Sequence, residues 1–391
     1  MICLKNTRHS DTGALLTSAI NIADWYGFNA LDTLPKRELD RRAARVSDLD
    51  ITYARRDERT LPAAARSCIA RMETPQHTVL GWRIVSSGGA VPSTALELHI
   101  VGTHANIAEA LLIAVAHAIL EDAGITERAL HINDLGATES SGRFVRDVNL
   151  YMRKHIESIA PALRTRASED PLGTLVQLIE RGHPATPRAP QSMEYLNEEE
   201  RQRLWEILEY IESSGFSYEL NAHLLGSRDC WSHTLFEISV RDPENAARIT
   251  LASGGRYDPL VSRIAKTPVG GAMISITCET RGNTVYKRPE RTVPNIYIAH
   301  IGVEARKCIL SIINVLRHAG IMVRHGIWHE RMGEQMQEAQ AIGAPYLLIV
   351  GHKEAMDGTV LVRTISTNIQ ESVPTAELPQ YLKRHHIALP A

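Results

Sequence analysis

Residues 282–294 read GNTVYKRPERTVP, charged and proline-bearing, and the patterns on its two sides differ. Before it, Val79–Val85 and Ala95–Val101 alternate around the turn-rich SSGGAVPST and predict a hairpin with a long loop. Ser217–Asn221, Thr234–Val240 and Ala247–Ala252 read as further strands. Between them, helical spacing covers 12–28 with a stop at Gly27, Asn106–Ala123, Ser141–Ile159, and Glu198–Ser213 entered through Asn197 as cap. Antiparallel strands interleaved with helices predict an α+β body. After the divide, strand and helix alternate: Ile296–Ile301, helix Glu304–Ala319, Ile321–His325, helix Gly333–Ile342, Tyr346–Val350, Thr359–Ile365, and a closing helix Ala376–Arg384. That rhythm predicts a small α/β unit with a largely parallel sheet. A chain of 391 residues also exceeds the ~250–300 at which one core stops growing. The expected units are 1–285, with a helical insertion at about 141–196 that includes a connecting stretch over 166–196, and 293–391.

Composition removes several function classes. A net charge of -2 gives no global field toward polyanions, so contact with nucleic acid requires a local patch. The five cysteines form no CxxC pair and the 17 histidines no HExxH, which argues against a disulfide framework or a metal site. The N-terminal MICLKNTRHSD has no apolar core and no run approaches the ~18 apolar residues of a spanning helix, so the expectation is a cytoplasmic protein without membrane contact.

One short stretch carries chemistry. In SGGRYDPLV (253–261), Gly254 and Gly255 permit close backbone approach, and Arg256, Tyr257 and Asp258 set a fixed cation, a hydrogen-bonding ring and a carboxylate side by side. Both a strand-end turn with a surface ion pair and a ligand pocket satisfy that pattern.

With GGRYD, the C-terminal stretch IGAPYLLIVGHKEAMDGTVLVRTISTNIQESVP and the order of the two units, the chain resembles the histidyl-tRNA synthetase family, class II aminoacyl-tRNA synthetases. The likeness is strongest over 196–261 and 294–383. YGFNALDTLP (26–35) is similar to the family's first motif, which shapes a dimer interface, and 78–104 to its second. The resemblance implies an antiparallel class II body with a C-terminal α/β anticodon-binding domain. It also implies ATP with magnesium as cofactor if active, histidine or another amino acid as substrate, tRNA bound through 293–391, and a homodimer.

The family's site residues map unevenly. Its second-motif arginine, which grips the α-phosphate, corresponds to Arg83, while the glutamate two residues on corresponds to Val85. The glutamine and glutamate around the bound substrates correspond to Ile100 and His104 in LHIVGTH. The arginine that attends the reacting carboxylate falls on Gly226 of GSRDCW, with Arg228 reached by a two-residue slip. The third-motif glutamate-arginine falls on Ile276 and Thr277, and the next cation is Arg281. The resemblance therefore implies Arg83 and Arg228 as catalytic candidates and Arg83 and Arg256 on ATP. Gly254, Gly255, Tyr257, His104 and Ile100 line the amino-acid pocket. Lys307, Arg317, Arg324, His325, His329 and Arg331 give the C-terminal unit positive character. Three readings stand: a catalytically impaired, tRNA-binding or regulatory relative; an active divergent histidine–tRNA ligase; and an amino-acid sensor or ligase of altered specificity.

Overall fold

The computed structural model describes residues 1–34, 51–55, 57–74, 77–88, 91–242, 246–289 and 294–387. Pro35 of the first-motif stretch and 290–293 of the divide lie outside the described residues. Eight strands form the larger sheet: β1 (Asn29–Ala30), β2 (Val79–Ser87), β3 (Ser93–Val101), β4 (Ala129–Asp134), β5 (Tyr218–Leu220), β6 (Ser232–Arg241), β7 (Arg248–Arg256) and β8 (Gly271–Glu279). Their spatial order is β1-β2-β3-β8-β7-β6-β4-β5, antiparallel except at the two edges. The predicted hairpin is β2–β3, with Val79 opposite Val101.

Alternation along β3 sorts side chains between the two faces. Leu96, Leu98 and Ile100 join the core cluster built with α1 (Thr12–Trp25) and α3 (Ile107–Asp122). The opposite face carries α2 (Leu61–Ile69) and, from the end of the chain's GGRYD stretch, a further short helix Asp258–Ala265. Entry into α1 is fixed by Asp11, whose carboxylate accepts the Ala14 amide at 2.8 Å.

Three helices, α4 (Thr138–Lys154), α5 (Pro161–Glu169) and α6 (Pro171–Glu180), form a packed outer group. The stretch 166–196, expected as a connection, thus contains helix: Pro161 and Pro171 stand at helix starts, where the missing amide costs nothing. Next comes α7 (Glu198–Ser213), whose Asn197 and Glu200 form a reciprocal capping box. The helix Asp258–Ala265 is α8.

The second sheet has the order β10-β9-β11-β12-β13, from β9 (Ile296–His300), β10 (Arg324–His325), β11 (Tyr346–Val350), β12 (Thr359–Thr364) and β13 (Gln370–Pro374). Its helices are α9 (Val303–His318), α10 (Met332–Ala341), α11 (His352–Asp357) and α12 (Leu378–Arg384). This sheet is mixed: β10, β9 and β11 are parallel, while β12 and β13 are antiparallel. Only Gly351–Gly358, with its short α11 and a turn at Gly358 (φ +65°), joins β11 to β12, and a parallel crossover takes about a dozen residues or more. Among the described residues no helix is long and apolar enough to cross a membrane.

Candidate functional site

On the α2 side of the larger sheet lies a cleft of about 330 Å³. Hydroxyls dominate its polar lining, from Thr60, Ser93, Ser253 and Ser275, with Glu97 on its floor and Trp231 on one wall. Beneath it runs a closed chain of contacts. Arg83 Nε donates to Glu97 Oε2 at 2.5 Å and Arg83 Nη2 to the Thr60 carbonyl at 3.0 Å. His99, fully buried, lies 3.3 Å from the same Glu97 oxygen through Nε2 and 3.1 Å from the Tyr257 hydroxyl through Nδ1.

The protonation of this chain follows from its surroundings. Burial pushes the Glu97 carboxyl upward, but His99 and Arg83 outweigh it and hold it below the usual range. Burial keeps the His99 imidazole low despite Glu97, so the ring is neutral. A carboxylate can only accept, which assigns the proton to Nε2 and leaves Nδ1 to accept the Tyr257 hydroxyl. Burial also raises Tyr257 well above its ordinary value, so that hydroxyl stays protonated.

The GGRYD stretch ends β7 and opens α8. Gly254 is required by strand packing: a Cβ there would lie 2.1 Å from the Met273 carbonyl. Gly255 is equally confined, 2.6 Å from the Thr234 carbonyl. Arg256 does not line the cleft. Its side chain is fully buried and grips Glu109 of α3 in two bonds, Nε–Oε1 at 2.6 Å and Nη2–Oε2 at 2.5 Å. Asp258 Oδ1 and the Thr103 and Ala105 carbonyls take its remaining donors. Burial opposes the charge, but Glu109 and Asp258 prevail and raise Arg256 above its ordinary range. The same cation offsets burial at Asp258 and brings it down to about 2. This is an ion cluster that ties α3 to β7; it keeps the ion pair of the strand-end-turn reading but buries it, where the sequence suggested the surface.

The other candidates separate. Ile100 points away from the cleft into the core on the far face; its neighbours of like parity are Leu96 and Leu98. The positions that face the cleft side are Ala95, Glu97 and His99. His104 is an exposed rim residue 3.4 Å from Asp258 Oδ2. Position 226 cannot carry an arginine: a Cβ on Gly226 would lie 2.4 Å from Trp231 Cδ1, and the Trp231 indole is fixed by Glu58 at 3.0 Å. Arg228 is exposed beside α4, beyond Trp231, and Arg281 is exposed where the chain passes the start of α1. Neither converges on Arg83. In the C-terminal unit Lys307 pairs with Glu209, Arg317 with Glu121, and His329 with Glu334 and Glu338, while His325 donates to the Tyr26 carbonyl. Most of the cations singled out there hold the unit to the body or to itself.

Glu97, His99 and Glu109 escaped sequence reasoning. The first two were signalled by the polar–apolar alternation of ALELHI, which sets His99 and Glu97 opposite Ile100. Glu109 sits 147 positions from Arg256, and no local pattern pairs them. Replacing His99 with alanine leaves Tyr257 and Glu97 each short of a partner, at about 1–3 kcal/mol apiece. The His99→Ala protein is expected to melt lower, and free imidazole at ten times its Kd to restore about 1.4 kcal/mol in that variant alone. Equal response of the parent protein to imidazole contradicts the assignment.

Comparison with known proteins shows what the chain is similar to. A family model described as an anticodon binding domain matches residues 295–385. A histidine–tRNA ligase of Thermosynechococcus vestitus is 28% identical over 285 residues, 72% of this chain and 66% of that protein. One of Bacillus subtilis is 28% identical over 288 residues, 72% and 68% respectively. The alignments thus span about two thirds of the relatives' length. The solved structure of apo S. aureus histidyl-tRNA synthetase superposes with a TM-score of 0.45 at 19% identity, over 83% of this chain and 82% of its own. The chain is a homologue of the histidine–tRNA ligases, with an antiparallel-rich α+β body and a C-terminal anticodon binding domain.

Proposed function

We propose that this protein binds tRNA through residues 295–385, in a tRNA-binding or regulatory role, and does not activate histidine. The observation that carries the reading is the seat of His99: the chain's own imidazole lies between Tyr257 and Glu97, where the resemblance puts the amino-acid pocket. Arg83, the one second-motif cation retained, is committed to Glu97.

Adenosine triphosphate with magnesium does not fit this lining. Among the described residues around the cleft the one cation is Arg55, the carboxylate Glu97 already serves Arg83 and His99, and Arg256 is consumed by Glu109. No catalytic step is derived through the nucleotide. Histidine-dependent ATP–pyrophosphate exchange tests the catalytic half of the reading, with background rates expected.

For the tRNA half, the phosphate backbone releases counterions on contact, so affinity depends on salt. Filter binding of tRNA is expected to weaken roughly tenfold or more between low and physiological salt, as a few phosphate contacts require. Binding indifferent to salt, or none at low salt, overturns it.

A further inference from the structure

We propose that the pocket at the start of α4 is a binding site for a phosphate group, separate from the cleft and independent of the reading above. It encloses about 140 Å³, and Trp231 is the wall between it and the cleft. Arg228, Arg263, Thr138, Ser141 and Ser232 line it, with Asp229 at one side.

Four observations converge. First, α4 runs for 17 residues, and its N-cap, Ala137, provides no side-chain acceptor, so the first-turn amides of Thr138, Glu139 and Ser140 lack intrahelical partners and face the positive end of the helix. Second, Arg228 lies over that turn: a Cβ on Gly142 would be 3.6 Å from its Nη1. It forms no ion pair among the described residues. Third, Ser232 is 6% exposed and its hydroxyl has no hydrogen-bond partner. A buried hydroxyl left unpaired on a pocket wall is costly unless a ligand completes it. Fourth, the acidic groups nearby are largely engaged. Asp229 is held by Arg263 at 2.9 Å and by the Thr52 amide at 2.9 Å. Glu200 accepts the Ala137 amide and the Ser140 hydroxyl at 2.7 Å each, at the corner where α4 meets α7. Glu139 sits on the exposed side of the first turn.

Guanidinium, hydroxyl and amide donors around one small concavity suit a tetrahedral oxyanion, since each oxygen takes two or three donors. The volume admits a phosphate group with a few waters. The phosphate can arrive free or as the terminal group of a nucleic-acid strand, and the test distinguishes the two.

Inorganic phosphate titrated calorimetrically into the full-length chain at low salt is expected to bind saturably. Arg228→Ala is expected to weaken it roughly 10- to 100-fold, the range for losing a bond to a charged group. Arg228→Lys should recover part of the loss, Ser232→Ala should weaken binding several-fold, and Arg281→Ala should leave it unchanged. A 5′-phosphorylated trinucleotide that binds more tightly than phosphate, and more tightly than its unphosphorylated form, identifies a strand end. Equal affinity for phosphate and the phosphorylated strand identifies the free ion. Absence of saturation up to roughly 10 mM, where binding is weaker than about 3 kcal/mol, or an Arg228→Ala protein that binds as the parent does, overturns the site.

Discussion

Replacing Glu109 with alanine is expected to destabilise the protein by about 3–5 kcal/mol, the cost of leaving a buried cation without its partner. Arg256 cannot escape to water: it is fully buried, wedged between α3 and the end of β7, and Asp258 contacts it at 3.3 Å from a half-buried position. Removal of Glu109 strips two short bonds at once and leaves the guanidinium facing a cavity. Arg203 also reaches Glu109, at 3.4 Å, so a second cation loses its carboxylate in the same variant. The double replacement Glu109→Leu with Arg256→Met removes both charges together and is expected to cost less than Glu109→Ala alone, because a buried pair replaced by apolar groups of similar volume is often near neutral. Urea unfolding checks both. A Glu109→Ala protein within 1 kcal/mol of the parent, as for a surface pair, contradicts the account of GGRYD as a structural cluster.

The β2–β3 hairpin and helices α1, α3 and α7 were legible because apolar periodicity and caps are local. Helix α6 was not: Pro171 lies in the stretch 166–196 that reads as a connection, although it serves as a helix start. In the site, family framing placed the pocket residue at Ile100, while strand parity alone puts that side chain on the core face with Leu96 and Leu98. A one-residue shift on a strand reverses the face, so similarity at this level of identity does not fix register. The partners of Arg83 and Arg256 were invisible for a different reason. Glu97 and Glu109 meet them only through sheet pairing and helix docking. Arg228 remained ambiguous in sequence because it lies two residues from the expected position; packing of Trp231 on Gly226 decides that it lies outside the cleft.

The proposed loss of activation implies a large catalytic effect. Adenylate formation develops charge on a phosphate and a carboxylate, and one preorganised donor aimed at such charge contributes about 10²–10³ in rate. In the family frame one of those cations falls on Gly226, against which Trp231 packs, and another on Thr277 of β8. Arg83 is bound to Glu97 instead of facing open cleft. Two such losses together remove about 10⁴ or more, even though the effects do not simply add. On the proposed reading, the seated His99 ring also excludes free histidine.

Histidine-dependent ATP–pyrophosphate exchange, run on the full-length chain beside an active histidine–tRNA ligase, tests this most directly. A rate at least about 10⁴-fold below that enzyme, and unchanged by added histidine, is the result expected from the missing donors. Exchange that rises with histidine to within about tenfold of the enzyme would mean that the cleft opens, that His99 leaves Tyr257, and that the occupied-pocket account is wrong.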